Sequence, residues 1–435
     1  MSKLWNKEDH DQLHPLVERY TVAEDYLLDR DLMPYDIEAS LAHAQGLERI
    51  GILSSEELHN IEHVFEQLKK DWNEGKIQIT VHDEDCHTVI ESYLTSKIGE
   101  IGKKIHTGRS RNDQVLVALR LYMKDHLSNI HELTKKNSKS FLDFALSHKH
   151  IPMPGYTHTQ QAMLSSLSHY MCSFVEALLD DCSILESTYL HVDKNPLGSA
   201  AAFGVSFPLD REYTTSKLGF SQIQVNSLYC QNSRGKFESQ YMEALSQIML
   251  TLGRFANDML VFTSTEFNFF EISPNMTTGS SIMPQKRNVD VMEILRANSG
   301  VVLNNQHMIK DIAKNLLSGY NRDFQLLKKP LFESTKIVEE SLKVVHLLVT
   351  SMKPKVDMIQ KNISKEIFMA DIANNMVKTE GIPFRDAYKK AVEQVDSYEV
   401  DMLKNLESKV SLGAPGNLGI EKYELRLESM KTLQI

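Results

Sequence analysis

Cysteine is scarce in this 435-residue sequence, which holds four: Cys86, Cys172, Cys182 and Cys230. Their spacings do not match the short cysteine pairs of zinc sites. Cys172 and Cys182 fall in one predicted helix, where ten residues rise about 15 Å, which is too far for a disulfide. We therefore expect four reduced, half-buried thiols that bind no metal. We also expect no other metal site and no cofactor.

Long apolar runs and excess positive charge are also missing. No run of 18 apolar residues occurs, and residues 1–9 lack the apolar core of a signal peptide, so we expect a cytoplasmic protein with no membrane partner. The 58 acidic residues outnumber the 48 basic ones, which argues against a nucleic-acid partner. The hydrophobic share of 42% indicates a globular chain long enough for two or three domains.

What the sequence does contain is a short loop, residues 277–288, rich in hydroxyls and cations. Gly279 permits unusual backbone angles, and Pro284 suits a first helical position, which predicts a helix starting directly after it. Lys286 and Arg287 would then occupy the first turn. Because a helix N-terminus is already positive, this arrangement favours a bound anion. The plainer alternative is a serine-rich connection with solvated cations.

A second motif, residues 106–114, has the pattern of a helix start, with Ser110 as N-cap and Asp113 completing a capping box. A capped helix start does not explain the two arginines of this segment, Arg109 and Arg111. Guanidinium groups at a helix N-terminus are well placed to bind a carboxylate through two hydrogen bonds.

A third motif, residues 155–161, reads Gly-Tyr-Thr-His-Thr-Gln-Gln. Thr157 and Gln160 have capping-box spacing, so the segment predicts the start of another helix. His158 is then either a polar first-turn residue without a role or an acid–base group.

A fourth segment, residues 82–91, mixes histidines with carboxylates. Its two histidines, His82 and His87, are five residues apart rather than the four that one helix face requires for a metal. The segment predicts a capped helix start.

Apolar residues recur at helical spacing over five long stretches, and the helix from Arg111 to His148 alone spans 38 residues. This pattern predicts an all-α fold with a central five-helix bundle. We predict three domains, at residues 1–108, 109–352 and 353–435, and a structured connection without chemistry at 195–219.

The loop 277–288 resembles the signature of the fumarase/aspartase superfamily of lyases. Segments 106–114 and 155–161, together with Gln285, resemble its argininosuccinate lyase branch. The resemblance covers essentially the whole chain. It implies a fumarase/aspartase-like three-domain fold, the reversible elimination of argininosuccinate to arginine and fumarate, and a homotetramer with active sites shared between chains.

The resemblance also implies roles for individual residues. It assigns His158 to proton transfer. The chemistry of the elimination adds Ser280 as the base, Lys286 as a cation for the carbanion, and Glu293, two turns further along the predicted helix, to orient the imidazole. The substrate-binding set is Asp25, His87, Ser110, Arg111, Asn112, Thr157, Asn288, Tyr320, Gln325 and Lys328.

Three positions depart from the family pattern. Val289 stands where proline is usual, Tyr388 where histidine is expected, and Asp25 where a substrate-binding serine is common. The departure at Asp25 changes the side chain at a position that contacts the substrate in the family.

Two other functions are compatible with the resemblance. One is another fumarate-releasing lyase of the superfamily, of the adenylosuccinate type, against which Gln285 and segment 109–114 count. The other is a catalytically silent structural relative, like the lens crystallins of this family. Retention of Ser280, His158 and Lys286 together argues against the second.

Helix length leads to a prediction about assembly. A 38-residue helix is about 57 Å long, with Asn112 at its start and His158 ten residues beyond its end. If both residues touch one small substrate, they must come from different chains.

Overall fold

The computed structural model describes residues 14–433; the segment 1–9, on which the signal-peptide prediction rests, lies outside this range. Six helices come first, and local capping explains several of their starts. Ser54 and Glu57 form a capping box, and the Asp85 carboxylate accepts the Thr88 N–H at 2.8 Å. The helices are α1 (Pro15–Val22), α2 (Asp25–Leu28), α3 (Met33–Arg49), α4 (Ser55–Asn73), α5 (Cys86–Ile98) and α6 (Glu100–Lys103).

Five long helices form the centre of the molecule, as predicted. Between the second and third lie two short helices and most of the structured connection. In chain order the set is α7 (Arg111–Ser147), α8 (Leu167–Val192), α9 (Arg211–Lys217), α10 (Ser227–Asn232), α11 (Lys236–Phe262), α12 (Asp290–Ala313) and α13 (Lys328–Ser351), of which α9 and α10 are the short ones. The all-α prediction is confirmed.

Short strands lie in the segments that connect the helices, and each pairs with one other strand. They are β1 (Pro152–Thr157), β2 (Gln160–Ser166), β3 (Lys194–Asn195), β4 (Gln222–Ile223), β5 (Phe270–Glu271), β6 (Thr278–Gly279), β7 (Arg287–Asn288) and β8 (Lys353–Pro354). β1–β2, β5–β8 and β6–β7 are antiparallel, and β3–β4 is parallel.

Short helices follow the bundle: α14 (Val356–Lys361), α15 (Met369–Glu380), α16 (Phe384–Gln394), α17 (Met402–Glu407) and α18 (Ile420–Ser429). Part of this region has its own apolar cluster around Phe368 and Met376, which Leu164 of β2 joins. The main core is continuous from the first helices into the bundle, and Phe65, Phe141 and Phe255 all belong to it. No helix within residues 14–433 is long and apolar enough to cross a membrane.

The bundle helices run alternately up and down, so their ends gather at two poles. At the first, which we call the Arg111 pole, α7 begins and α12 ends, and Gly235 at the start of α11 packs closely against Ala313. At the second, the hairpin pole, the ring of Phe262 lies 6.2 Å from that of Tyr156. α7 has 37 residues, which places the poles about 55 Å apart along its axis.

Candidate active site

A polar cavity of about 230 Å³ lies at the Arg111 pole, between the first helices and the starts of α7 and α13. Seven of the residues predicted to bind substrate line it, although they come from four distant parts of the sequence. These seven are Asp25, His87, Arg111, Asn112, Tyr320, Gln325 and Lys328.

Lys328 is buried at the floor of this cavity between two carboxylates. Its Nζ donates to Asp25 Oδ2 at 3.0 Å and to Asp29 Oδ1 at 2.5 Å. Burial raises the pKa of Asp25 to about 6, against the opposing pull of Lys328. The pKa of Lys328 lies above its ordinary value, because the charges of Asp29 and Asp25 outweigh the effect of burial. The positive charge of the Lys328 ammonium group is thus balanced by carboxylates of the protein.

Arg111 makes its contacts within the protein. Its guanidinium lies 3.1 Å from Asp85 Oδ2 and donates to Thr88 Oγ1 at 2.9 Å. Burial opposes ionisation of Asp85, but the nearby His87 and Arg111 hold the pKa of that carboxyl below its usual range. These contacts fix the start of α7 against the start of α5.

His87 is buried, and its Nδ1 lies 2.7 Å from Asp36 Oδ2. Burial lowers the pKa of this imidazole, but the Asp36 carboxylate more than offsets it, so the pKa is raised. Potential ligand atoms of Asp29, Cys86 and His87 lie within 4.8 Å of one another. Asp29 is already bonded to Lys328 and to the Cys86 N–H, and His87 to Asp36, so internal partners account for this cluster.

Gln325 joins the cavity to the end of α1. Its Nε2 donates to the carbonyls of Thr21 and Val22 at 3.0 and 3.2 Å. The neighbouring Arg322 donates to the same Thr21 carbonyl and pairs with Glu84 at 3.0 Å. The segment Arg322–Leu327 forms a 3₁₀ helix that leads directly into α13.

Ser110 lies beside this cavity and acts as the predicted N-cap of α7, in a capping box with Asp113. Asp113 also accepts the N–H groups of Gly198 and Ala200, at 3.1 and 2.9 Å, which ties the structured connection to the helix start. Arg109 is buried elsewhere and donates to Ser40 Oγ at 2.7 Å. It does not line the cavity.

The prediction of a helix start at residues 155–161 is wrong. β1 and β2 form a hairpin there, and α8 begins only at Leu167, capped by Ser166. His158 and Thr159 form the turn with φ of +52° and +62°, a conformation of hairpin turns that usually holds Gly or Asn. Thr157 and His158 are exposed at this tip, at the hairpin pole.

The prediction of a helix directly after Pro284 is also wrong. β6 and β7 pair across the loop, which keeps Arg287 and Asn288 extended, and α12 starts at Asp290. Lys286 therefore lies in the loop and not in a first helical turn. Thr278 Oγ1 donates to Asp290 Oδ2 at 2.7 Å, so a protein carboxylate already occupies that helix terminus.

Ser280 sits at the centre of this loop with its hydroxyl oxygen held by backbone donors. The N–H groups of Ile282 and Met283 donate to its Oγ at 3.4 and 3.2 Å. Lys286 is exposed in the same loop, and Asn288 Nδ2 lies 3.5 Å from Thr278 Oγ1. Glu293 is exposed in the first turn of α12 rather than two turns along a longer helix.

The predicted site residues thus fall into two groups within one chain. Eight lie at the Arg111 pole, in or beside the cavity. Six lie at the hairpin pole, namely Thr157, His158, Ser280, Lys286, Asn288 and Glu293. The length of α7 separates the two groups.

Arg234 also lines the cavity and was not predicted from the sequence. It is 4% exposed, and its guanidinium carbon lies 5.3 and 5.0 Å from the ring centres of Tyr320 and Phe324. The local sequence, Ser-Arg-Gly-Lys, gives no signal of a site. Only the packing of the start of α11 against the 320–328 segment reveals it.

A larger cavity of about 600 Å³ lies at the hairpin pole. Thr157 lines it together with apolar residues, Arg254 and Asp258. The Tyr170 hydroxyl donates to Asp258 Oδ2 at 3.1 Å, which fixes the wall formed by α8 and α11.

Known proteins match this chain along nearly its whole length. A family model described as a lyase matches residues 12–304. The argininosuccinate lyase of Thermotoga neapolitana is 42% identical over 392 residues, which cover 90% of this chain and 98% of that protein. The argininosuccinate lyase of Sorangium cellulosum is 40% identical over 427 residues, which cover 98% of each.

Solved structures share the fold at lower identity. EDDS lyase in complex with formate matches with a TM-score of 0.81 and 21% identity, over 94% of this chain and 90% of that one. Class II fumarase from Schistosoma mansoni matches with a TM-score of 0.74 and 14% identity, over 94% of each chain. These two structures and the present chain therefore share one fold, built on a central bundle of long helices.

Proposed function

Because the chain belongs to the argininosuccinate lyase family of the fumarase/aspartase superfamily, we propose that it converts argininosuccinate reversibly to arginine and fumarate, a step of arginine biosynthesis. A proton leaves the succinyl carbon next to a carboxylate, the carbon–nitrogen bond breaks, and the guanidino nitrogen departs with the electron pair. The observation that carries this proposal is identity of about 40% to argininosuccinate lyases over nearly the full chain.

The difficult step is the formation of the carbanion. Loss of the proton turns the adjacent carboxylate into a doubly negative form, which needs preorganised cations and N–H donors around it. We assign Lys286 to this charge, because its ammonium group forms no ion pair within residues 14–433 and lies in a loop that also presents backbone N–H groups. Asn288 and Thr157 bind the same end of the substrate.

We assign proton abstraction to Ser280. Two backbone N–H groups already donate to its Oγ, and such donors favour the deprotonated oxygen. His158 then protonates the departing nitrogen, and Glu293 orients the imidazole in the assembled site. The reverse reaction exchanges the roles of Ser280 and His158.

We further propose that the protein is a homotetramer whose active sites combine the Arg111 pole of one chain with the hairpin poles of others. The separation of about 55 Å within one chain supports this, because one small substrate cannot reach both poles. α12 adds support, since Ile294, Val301 and Met308 recur every seven residues on its exposed face, at 63%, 37% and 43% exposure. Apolar residues at this spacing are typical of helices that pack against another helix.

We place the enzyme in the cytoplasm and propose that it works without a cofactor. A test of the location is fractionation of cells that express the tagged protein, in which activity should appear in the cytosolic fraction.

The reaction itself is tested by the absorbance of fumarate after purified protein is mixed with argininosuccinate, and separately with adenylosuccinate. Fumarate should form from the first substrate, and the Ser280→Ala variant is the matched control. Fumarate from adenylosuccinate alone would support the other lyase reaction. No fumarate from either substrate would support the catalytically silent relative.

A further inference from the structure

We propose that Gln161 is a positioning residue, which sets the place of His158 by tying the β1–β2 hairpin to residues 362–364. The inference deepens the proposed function, on which it rests for the role of His158. Neither the capping-box pattern nor the family resemblance assigns a role to Gln161.

The tip of the hairpin is not held by side-chain contacts of its own. Thr157, His158, Thr159 and Gln160 are all exposed. Within residues 14–433 their side chains make one hydrogen bond, which is local and runs from Thr159 Oγ1 to the His158 carbonyl at 2.6 Å. Both turn residues also have positive φ, which is strained for residues other than Gly or Asn. The position of His158 must therefore be set by residues further down the two strands.

The first anchored pair below the tip is Tyr156 on β1 and Gln161 on β2. The ring of Tyr156 packs against the bundle, with its centre 6.2 Å from that of Phe262. The partly buried Gln161 instead contacts the segment between α14 and α15. Its Nε2 donates to the Asn362 carbonyl at 2.5 Å, and its Oε1 accepts the Ser364 N–H at 3.0 Å. At one level of the hairpin, the two strands are thus fastened to different parts of the molecule.

Both ends of the Gln161 amide bond to the ends of helices. Asn362 is the C-cap of α14, and Ser364 is the N-cap of the 3₁₀ helix Lys365–Phe368. Helix ends leave carbonyl and N–H groups without partners inside the helix. Since one partner is an acceptor and the other a donor, only one orientation of the amide makes both bonds. An apolar side chain of similar size would lose both and would leave β2 free to shift against this segment.

The other contacts of β2 with the C-terminal region lie further from the tip. Leu164 belongs to the apolar cluster of the C-terminal helices. Lys409 Nζ donates to the Leu164 carbonyl at 2.8 Å and lies 3.1 Å from Asp371 Oδ2. These contacts hold the strand three residues beyond Gln161. Gln161 is therefore the anchor of β2 that lies nearest to His158 in the sequence.

The first test measures kcat at saturating argininosuccinate for Gln161→Leu, alone and combined with His158→Asn. Alone, the substitution should lower kcat at least about tenfold, because a small displacement of an acid–base group slows the reaction strongly. In the His158→Asn background, measured at high enzyme concentration, it should change the residual kcat less than about twofold, since it acts through His158. A tenfold fall that persists in this background would overturn the inference.

Two further variants sharpen this test. Gln161→Glu keeps an oxygen that accepts the Ser364 N–H but loses the donor to Asn362, so its kcat should lie between those of the wild type and Gln161→Leu. This variant also keeps the test valid if Gln161→Leu does not fold. Gln67→Leu is the matched control, because Gln67 is partly buried and donates to Asp71 at 2.8 Å within α4. Its kcat should equal that of the wild type, and a fall as large as in Gln161→Leu would contradict the proposal.

Hydrogen exchange followed by mass spectrometry tests the position of the hairpin without the reaction. Peptides within residues 152–166 should exchange about tenfold faster in Gln161→Leu than in the wild type, as expected for the loss of two hydrogen bonds, whereas peptides of α4 should not change. Unchanged exchange would reject the role of Gln161 even if the wild type releases fumarate from argininosuccinate. Faster exchange in a protein whose wild type releases no fumarate would keep Gln161 as the anchor of the hairpin and reject the reaction.

Discussion

Mixing two inactive variants, Asn112→Leu and His158→Asn, tests whether active sites are shared between chains. Asn112 lines the cavity at the Arg111 pole, and His158 lies at the tip of the hairpin beyond the other end of α7. The 37 residues of α7 put about 55 Å between these ends. A substrate that touches both residues must therefore lie between chains.

The expected recovery follows from counting chains. In an equal mixture that reassembles at random, a site draws an intact Asn112 from one chain half of the time and an intact His158 from another chain half of the time. About one quarter of sites then contain both intact residues, so we expect about 25% of wild-type activity. A mixing ratio of one to three should lower this to about 19%.

The assay is fumarate release after the variants are dissociated in mild denaturant, mixed and reassociated. Asn112→Leu mixed with Lys328→Met is the matched control. These two residues line one cavity of one chain, so every site keeps one lesion and no activity should return. Recovery in the control equal to that in the test mixture would refute the shared-site reasoning. So would the absence of recovery in hybrids confirmed by native mass spectrometry, or full activity in a monomer.

Three further predictions concern single substitutions. Ser280→Ala should lower the turnover number at least about a hundredfold with little change in melting temperature, as expected for loss of an acid–base group, and near-normal turnover would remove Ser280 from the chemistry. Lys286→Met should weaken both substrate binding and rate in steady-state assays, because we propose that Lys286 binds a carboxylate that gains charge in the transition state; a change in stability alone would contradict this. Asp181→Asn should stabilise the protein at pH 8 but not at pH 4. Burial raises the pKa of Asp181 to about 7 from 3.8, so its ionised form destabilises the folded state increasingly above pH 3.8 and fully above about pH 7. The gain in the free energy of unfolding should reach at most about 4 kcal/mol, and denaturant titrations that show equal gains at both pH values would disprove this assignment.

The long helices were predictable from the sequence because their apolar residues repeat at helical spacing over many turns. α7 ends at Ser147, one residue from the predicted end, and Ser110 caps it as expected. The repeat of apolar residues is a local property of the sequence, so tertiary contacts did not alter these helices. The predicted cytoplasmic location, the domain boundaries and the roles of individual site residues stay predictions.

The loops were less predictable, because pairing between distant residues decided them. Thr157 and Gln160 match a capping box, but the strands around them pair and turn at His158 and Thr159. That turn lacks the Gly or Asn that usually marks a hairpin. Pro284 suited a helix start, yet the pairing of β6 with β7 delays α12 to Asp290.

The cavity shows a different limit of sequence reasoning. Family resemblance pointed to seven of its residues, whereas nothing in the sequence around Arg234 marked it as one of them. Arg234 lines the cavity because its guanidinium packs against the rings of Tyr320 and Phe324, and these contacts are not visible in the local sequence.

The four cysteines provide a built-in reporter of local opening. All four are buried, and burial raises the pKa of each thiol, so none should react with a thiol reagent while the chain is folded. Cys86 begins α5 beside the cavity, Cys172 and Cys182 lie in the bundle, and Cys230 lies in α10. The order in which mass spectrometry finds them labelled would show which part of the wild-type protein opens first, without any engineered probe.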